Sequence, residues 1–70
     1  MSSNKLREFR EKAGLSQVEL ARRANIASTN LSSIERGHLD AWPKARKDIA
    51  NVLGVSESDI FTQETSNGNN

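Results

Sequence analysis

Apolar residues recur along this chain in short stripes of helical period, separated by single glycines and by one asparagine. Leu6, Phe9 and Ala13 fall at i, i+3 and i+7, one face of a helix over residues 5–13 whose remaining positions are mostly charged. Ser3 or Asn4 is placed to cap its start, and Gly14 stands just past its end, where a left-handed residue closes a helix. The run Leu15-Ser16-Gln17-Val18-Glu19-Leu20 joins two start signals: Ser16 and Glu19 have capping-box spacing, and Leu15 and Leu20 have the spacing of a hydrophobic staple. This predicts a second helix from 17 to about 24. Asn25 tolerates the left-handed region and so suits a tight turn, with Ile26 as an apolar plug. A third helix is predicted over 28–36, with Ala27, Leu31 and Ile34 on one face and Gly37 as its stop. Residues 38–42 read as a loop, with Trp42 expected to plug the core beside Pro43. Pro43 suits the first position of a fourth helix, Ala45, Ile49, Val52 and Leu53 form its stripe, and Gly54 ends it. Ser56 and Asp59, flanked by Val55 and Ile60, repeat the earlier start signal with a poorer acceptor, so a short fifth helix should end near Phe61. No strand pattern appears. The expectation is an all-α domain of five helices over 1–61, followed by a disordered polar tail over 62–70, where no residue is apolar.

Two short helices joined by a three- or four-residue turn, here 17–24 and 28–36, are the helix-turn-helix layout. That layout makes physical demands which the chain meets. Ala21 is small enough for a close helix crossing, Asn25 suits a positive φ, and Leu20, Ala24, Ile26, Leu31 and Ile34 supply an apolar rear. The residues left facing outward on the second of these helices are Ser28, Thr29, Ser32 and Ser33, with Asn30 beside them. They are short, polar and poor helix formers, so stability alone would not select them for an exposed helix. Such a face is free to enter the major groove of DNA, which is about 12 Å wide.

Composition adds boundaries. Seventy residues predict one small domain with a marginal core, and the absence of cysteine excludes a disulfide or thiolate-metal staple. No run approaches a membrane span and the start lacks a signal-peptide layout, so a cytoplasmic protein that does not enter the membrane is expected. Net charge is only +1, but it is unevenly spread. Residues 1–47 hold ten bases against five acids, +5, and residues 48–70 hold four acids and no base, −4. A front that faces a polyanion and an acidic rear fit that division. Arg22 and Arg23 read as a solvated face, and His38 as a lone loop histidine without a metal role. With one histidine, no phosphate-cradling glycine loop and no evident pair of carboxylates, neither an enzyme nor a cofactor or metal site is expected.

From Leu6 to Phe61 the chain resembles the Cro/phage-repressor type of helix-turn-helix domain, the XRE family. The residues that carry the resemblance are Leu6-Arg7 with Arg10, Gly14-Leu15-Ser16-Gln17 with Glu19-Leu20-Ala21, Leu31 with Ile34-Glu35-Arg36-Gly37, and Ile49-Ala50 with Leu53-Gly54-Val55-Ser56. It implies base-reading positions at Ser28, Thr29, Asn30, Ser32 and Ser33. It implies phosphate contacts from Gln17, Arg36, Lys44 and Arg46, and a partly buried ion pair between Arg10 and Glu35. Three positions depart from the family pattern. Asn25 stands where Gly is usual, and Ala27 stands where Ser or Thr opens the recognition helix, so either Ser28 caps instead or the cap is lost. The recognition face also carries neither Gln nor Arg, which leaves more of the readout to water and DNA shape.

These readings converge on a double-stranded DNA-binding transcriptional regulator that acts as a homodimer on an inverted repeat. Dimerisation doubles the contacts of a small module, and the exposed apolar side of the last helix, Val55, Ile60 and Phe61, is the expected interface. The alternative is an antitoxin-like or other protein-interaction module that uses the acidic rear.

Overall fold

The computed structural model describes residues 4–61, so Ser3 and the expected tail over 62–70 lie outside the described residues. The described chain is all helical: α1 (Leu6–Lys12), α2 (Gln17–Ala24), α3 (Ser28–Glu35), α4 (Pro43–Leu53) and α5 (Glu57–Ile60). α2 packs against both α3 and α4, and α5 packs on α4. Leu6, Leu20, Leu31, Ile34, Ile49 and Ile60 are fully enclosed at the centre, and each contributes about 1.5–3 kcal/mol of burial. Ala21, Ala24, Ala45 and Ala50 fill the crossings, where small side chains let the helices approach. Phe9, Leu15, Ile26, Val52, Leu53 and Val55 pack around this centre, half-buried.

The start of the chain ties the ends of two distant helices together. Asn4 caps α1 as expected, its Oδ1 accepting from the Leu6 N–H at 3.0 Å. The same side chain donates from Nδ2 to the carbonyl of Ile34 at 2.8 Å, and the Lys5 N–H donates to the carbonyl of Ile60 at 3.0 Å. Thus the residues leading into α1 bond a carbonyl in the last turn of α3, which also accepts from the Gly37 N–H, and one at the end of α5.

Helices α1 to α4 all stop in one way. A residue with positive φ follows each: Gly14 (74°), Asn25 (61°), Gly37 (79°) and Gly54 (71°). Its N–H donates three residues back, and the next residue's N–H donates five back. The second bonds are Leu15 to Arg10, Ile26 to Ala21, His38 to Ser33 and Val55 to Ala50, at 2.9–3.2 Å. This double closure calls for a residue that tolerates the left-handed region, followed by an apolar residue folded against the helix just ended. Leu15, Ile26 and Val55 meet the second requirement. After α3 the position holds His38, which is exposed.

Four expectations are corrected here. Ala13 and Ala27, expected on apolar faces, are exposed because each sits just outside its helix. Trp42 does not plug the core. As the extended residue ahead of Pro43 it keeps 37% of its surface exposed, and Ala41, one residue earlier on the opposite side of the extended segment, is buried instead. The last helix does not offer an exposed apolar side: Ile60 is wholly enclosed, Phe61 is buried and Val55 is half-buried. A four-residue helix has too little surface to cover its base on α4 and also present a second apolar face. Finally, the capping box at α2 is half made. The Ser16 Oγ accepts from the Glu19 N–H at 3.0 Å, but the Glu19 carboxylate turns outward to Arg22 and Arg23. At α5 the acid does reach back, Asp59 Oδ2 accepting from the Ser56 N–H at 3.2 Å.

Candidate nucleic-acid interface

The turn between α2 and α3 follows from the sequence at every step. Asn25 reverses the chain, the Ile26 N–H bonds back to Ala21 at 2.9 Å, and Ala27 is extended at φ −67° and ψ 139°. Ala27 has no side-chain oxygen, so α3 begins at Ser28 without a side-chain cap. Of the two openings the sequence left for this helix, the structure takes the uncapped one.

Leu31, Ile34 and Glu35 turn α3 inward. At about 100° per residue, Thr29, Ser33 and Arg36 fall on the opposite side, with Asn30 and Ser32 flanking them, while Ser28 is exposed at the helix's open first turn. Ser28, Thr29 and Asn30 are exposed, whereas Ser32 and Ser33 are half-buried. The five residues expected to read bases thus share one helix, with the first three more open than the last two.

Leu31 and Ile34 pin this helix to the core, and a polar network adds to their hold. Arg10 donates from Nε to Glu35 Oε2 at 2.5 Å and from Nη2 to Oε1 at 3.4 Å. Its Nη1 donates to the carbonyl of Leu15 at 2.7 Å. Gln17 adds a third bond to the same carboxylate, Nε2 to Oε1 at 3.0 Å. The Arg10 and Glu35 side chains keep only 11% and 3% of their surface. The expected Arg10–Glu35 pair is therefore present, and it is larger than a pair, joining α1, the loop before α2, the first residue of α2 and the last of α3. A buried ion pair earns its stability only when its remaining hydrogen-bonding groups are satisfied, and here Leu15 and Gln17 provide that. The bond from Gln17 was not legible in the sequence, because 18 residues separate it from Glu35.

The four residues expected at phosphates are not brought together. Gln17 and Arg36 line one open cleft of about 610 Å³, along with Arg7, Ser32 and His38. Lys44 is exposed and pairs with Asp48 at 2.7 Å within α4. Arg46 is half-buried, 4.0 Å from Glu57, beside a separate hollow bordered by Ser58 and Phe61. Arg7 and His38 were missed as neighbours of Gln17. The available signal was the polar residue at the α3 stop, where the other three stops have an aliphatic one.

On the solvent side of α2, Glu19 bonds both Arg22 (2.7 Å) and Arg23 (3.1 Å). The hydrogen bond from Arg22, and then that from Arg23, holds its carboxyl below the usual carboxylate range. Among the described residues no three His, Asp or Glu side chains converge as a metal would require, and no helix is long and apolar enough to cross a membrane.

This architecture has known counterparts. Residues 6–60 match the family model described as helix-turn-helix. The chain is 34% identical over 61 residues to an uncharacterised HTH-type transcriptional regulator of Methanocaldococcus jannaschii, covering 87% of this chain and 92% of that protein. It is 38% identical over 52 residues to the HTH-type transcriptional regulator ImmR of Bacillus subtilis, covering 74% of this chain but 41% of ImmR. In three dimensions it is similar to the restriction-modification controller protein C.AhdI from Aeromonas hydrophila. There the TM-score is 0.75 and identity 27%, over 79% of this chain and 83% of that one.

Proposed function

The chain belongs to the helix-turn-helix family, and on that premise we propose that it is a sequence-specific regulator of transcription that binds double-stranded DNA through α3. One observation carries the reading. An uncapped helix of Ser, Thr and Asn, which gains little from its own propensities, is tied at its end to α1 and α2 by the Arg10–Glu35–Gln17 network. That arrangement serves a face that must be exposed and accurately placed. Ser28, Thr29, Asn30, Ser32 and Ser33 meet base edges in the major groove. Gln17 and Arg36 meet the backbone on one flank, and Lys44 and Arg46 reach it from α4. The short side chains make direct readout modest, so water and DNA shape share in specificity.

The protein acts in the cytoplasm as a homodimer on an inverted repeat with half-sites about one helical turn, 34 Å, apart. What supports this is the small number of cations one copy can set against phosphates, too few for firm binding at physiological salt. Ile60 and Phe61 stay in the core of each copy, so the dimer is not assigned to them.

Selection from random duplex DNA, repeated at two salt concentrations, tests the proposal. The expected result is a short enriched inverted repeat whose affinity falls steeply with salt. If nothing is enriched and binding is weak even at low salt, the helix-turn-helix serves here as a scaffold. The partner would then be sought among proteins that fit the acidic C-terminal third, residues 48–70.

A further inference from the structure

The openings of the five described helices divide four to one. The Leu6 N–H of α1 donates to Asn4 Oδ1 at 3.0 Å, and the Glu19 N–H of α2 donates to Ser16 Oγ at 3.0 Å. At α5, Asp59 Oδ2 accepts from the Ser56 N–H at 3.2 Å. α4 opens on Pro43, which has no N–H to satisfy and a fixed φ suited to a helix. α3 alone opens with neither a side-chain acceptor nor a proline. Ala27, Ser28, Thr29 and Asn30 are all exposed, and the side chains of residues 28–30 make no hydrogen bond among the described residues. Ser, Thr and Asn are weak helix formers whose side chains compete for nearby backbone groups. The ties that fix α3 to its neighbours lie at or beyond Leu31: Leu31 and Ile34 in the core, Asn4 on the Ile34 carbonyl, Arg10 and Gln17 on Glu35. Unwinding the first turn therefore uncovers no enclosed apolar side chain and breaks none of these polar ties, the condition under which a segment opens locally at little cost.

We infer that Ala27 is a positioning residue: by withholding a cap it leaves the turn Ser28-Thr29-Asn30 unwound in more than half of the free molecules, and the turn winds up only against DNA. The inference rests on the regulator reading and deepens it, because it splits the reading face in two. Ser32 and Ser33 stand on the anchored part of α3 and are in place before DNA arrives. Ser28, Thr29 and Asn30 take their places on contact. A protein whose binding-competent form is only partly populated binds more weakly in proportion to that fraction. A cap at position 27 is worth about fivefold in the ratio of wound to unwound turn. Starting from a turn that is less than half wound, a cap should tighten DNA binding by about two- to fivefold. In a turn already wound, the same cap would raise the melting temperature and leave affinity unchanged.

Amide exchange followed by NMR on the full chain reads the turn without DNA. The Leu20 and Leu31 amides are matched probes: each belongs to a fully enclosed leucine and donates to the carbonyl of its helix's N-cap residue, Ser16 or Ala27, at 3.0 Å. In the free protein Leu31 should exchange at least about tenfold faster than Leu20 after correction for intrinsic rates. It should become protected when the duplex enriched by selection from random DNA is added. Ala27→Ser and Ala27→Gly should both slow Leu31 exchange in the free protein and tighten binding to that duplex, measured by fluorescence anisotropy. Glycine caps nearly as well as serine and has no side chain to touch DNA. A gain shared by both variants, at an unchanged log–log salt slope, therefore comes from the turn and not from a new phosphate contact. Equal protection of Leu31 and Leu20 in the free protein, capped variants that bind no tighter than wild type, or a gain confined to Ala27→Ser each overturn the inference and leave the regulator reading standing. If selection enriches no duplex and none binds at low salt, the regulator reading falls, and the winding of the turn on DNA falls with it.

Discussion

α2 and α3 are adjacent, eight residues long and packed on each other, yet they are helices for different reasons. α2 carries its own supports: a Ser16 cap, a glutamate in its first turn paired with Arg22 and Arg23 one turn on, and a left-handed asparagine at its stop. α3 has no side-chain cap, no charge in its first turn and no ion pair within itself among the described residues. Leu31 and Ile34 pin it to the core, Asn4 holds its last turn, and Arg10 and Gln17 hold Glu35. A helix that must present a reading face cannot devote that face to local stabilisation, so the surrounding structure supplies what the sequence of the helix lacks. This division of labour can be broken at graded points.

The largest effect is expected at Leu31. Leu31→Ala empties a fully enclosed site and should cost about 3–4 kcal/mol in urea unfolding. A loss below 1 kcal/mol would mean that α3 does not depend on the core. Glu35→Ala leaves Arg10 buried without its partner and Gln17 without its acceptor. It should destabilise by about 3 kcal/mol, and a melting temperature within a degree or two of wild type would refute the network's role. Ser16→Ala removes the one side-chain cap of α2, for a loss of about 1 kcal/mol. Ala27→Ser should do the reverse, giving α3 the cap it lacks and stabilising the fold by up to about 1 kcal/mol. If the gain at 27 is absent while the loss at 16 is present, the start of α3 is set by packing alone. The smallest effect concerns Glu19. Its folded pKa lies below the unfolded value because Arg22 and Arg23 bond the ionised form. The stability this contributes is present above the unfolded pKa and is lost as pH falls through the folded one. The difference between wild type and Glu19→Gln should therefore be constant near neutrality and shrink only below about pH 4.5. Shrinkage near pH 6 would assign the effect to another group.

The helix boundaries were largely legible because their signals are local. Each stop needs a residue that accepts positive φ, and Gly14, Asn25, Gly37 and Gly54 are the residues that accept it most readily. The apolar stripes named most of the core, since a helix can bury only one side. The site was legible in part. The outward residues of α3 followed from the inward ones, and Arg10–Glu35 came from resemblance. The reach of Gln17 to Glu35, of Asn4 to Ile34 and the company of His38 were not legible. Each depends on how three helices meet, and no spacing within one segment encodes that.

The fate of the chain's last turn marks the same boundary. Val55, Ile60 and Phe61 form an apolar group whose period says helix, but period alone does not say whether the group covers its own core or waits for a partner. Burial of Ile60 and Phe61 was decided by α4, which α5 packs on, and by Lys5, whose amide takes the Ile60 carbonyl. Trp42 followed the same rule in reverse, displaced outward because Pro43 fixes the start of α4 and the smaller Ala41 takes the inward position. By itself the sequence determined where each helix starts and stops, which side of it is apolar, and that α3 carries an unusually polar outer face. Those features rest on backbone conformation and on neighbours within a turn or two. Tertiary structure alone decided which of two apolar candidates is enclosed, which acid each arginine meets, and which side chains border the cleft beside α3. Those outcomes depend on the competition of distant residues for the same space and the same hydrogen bonds.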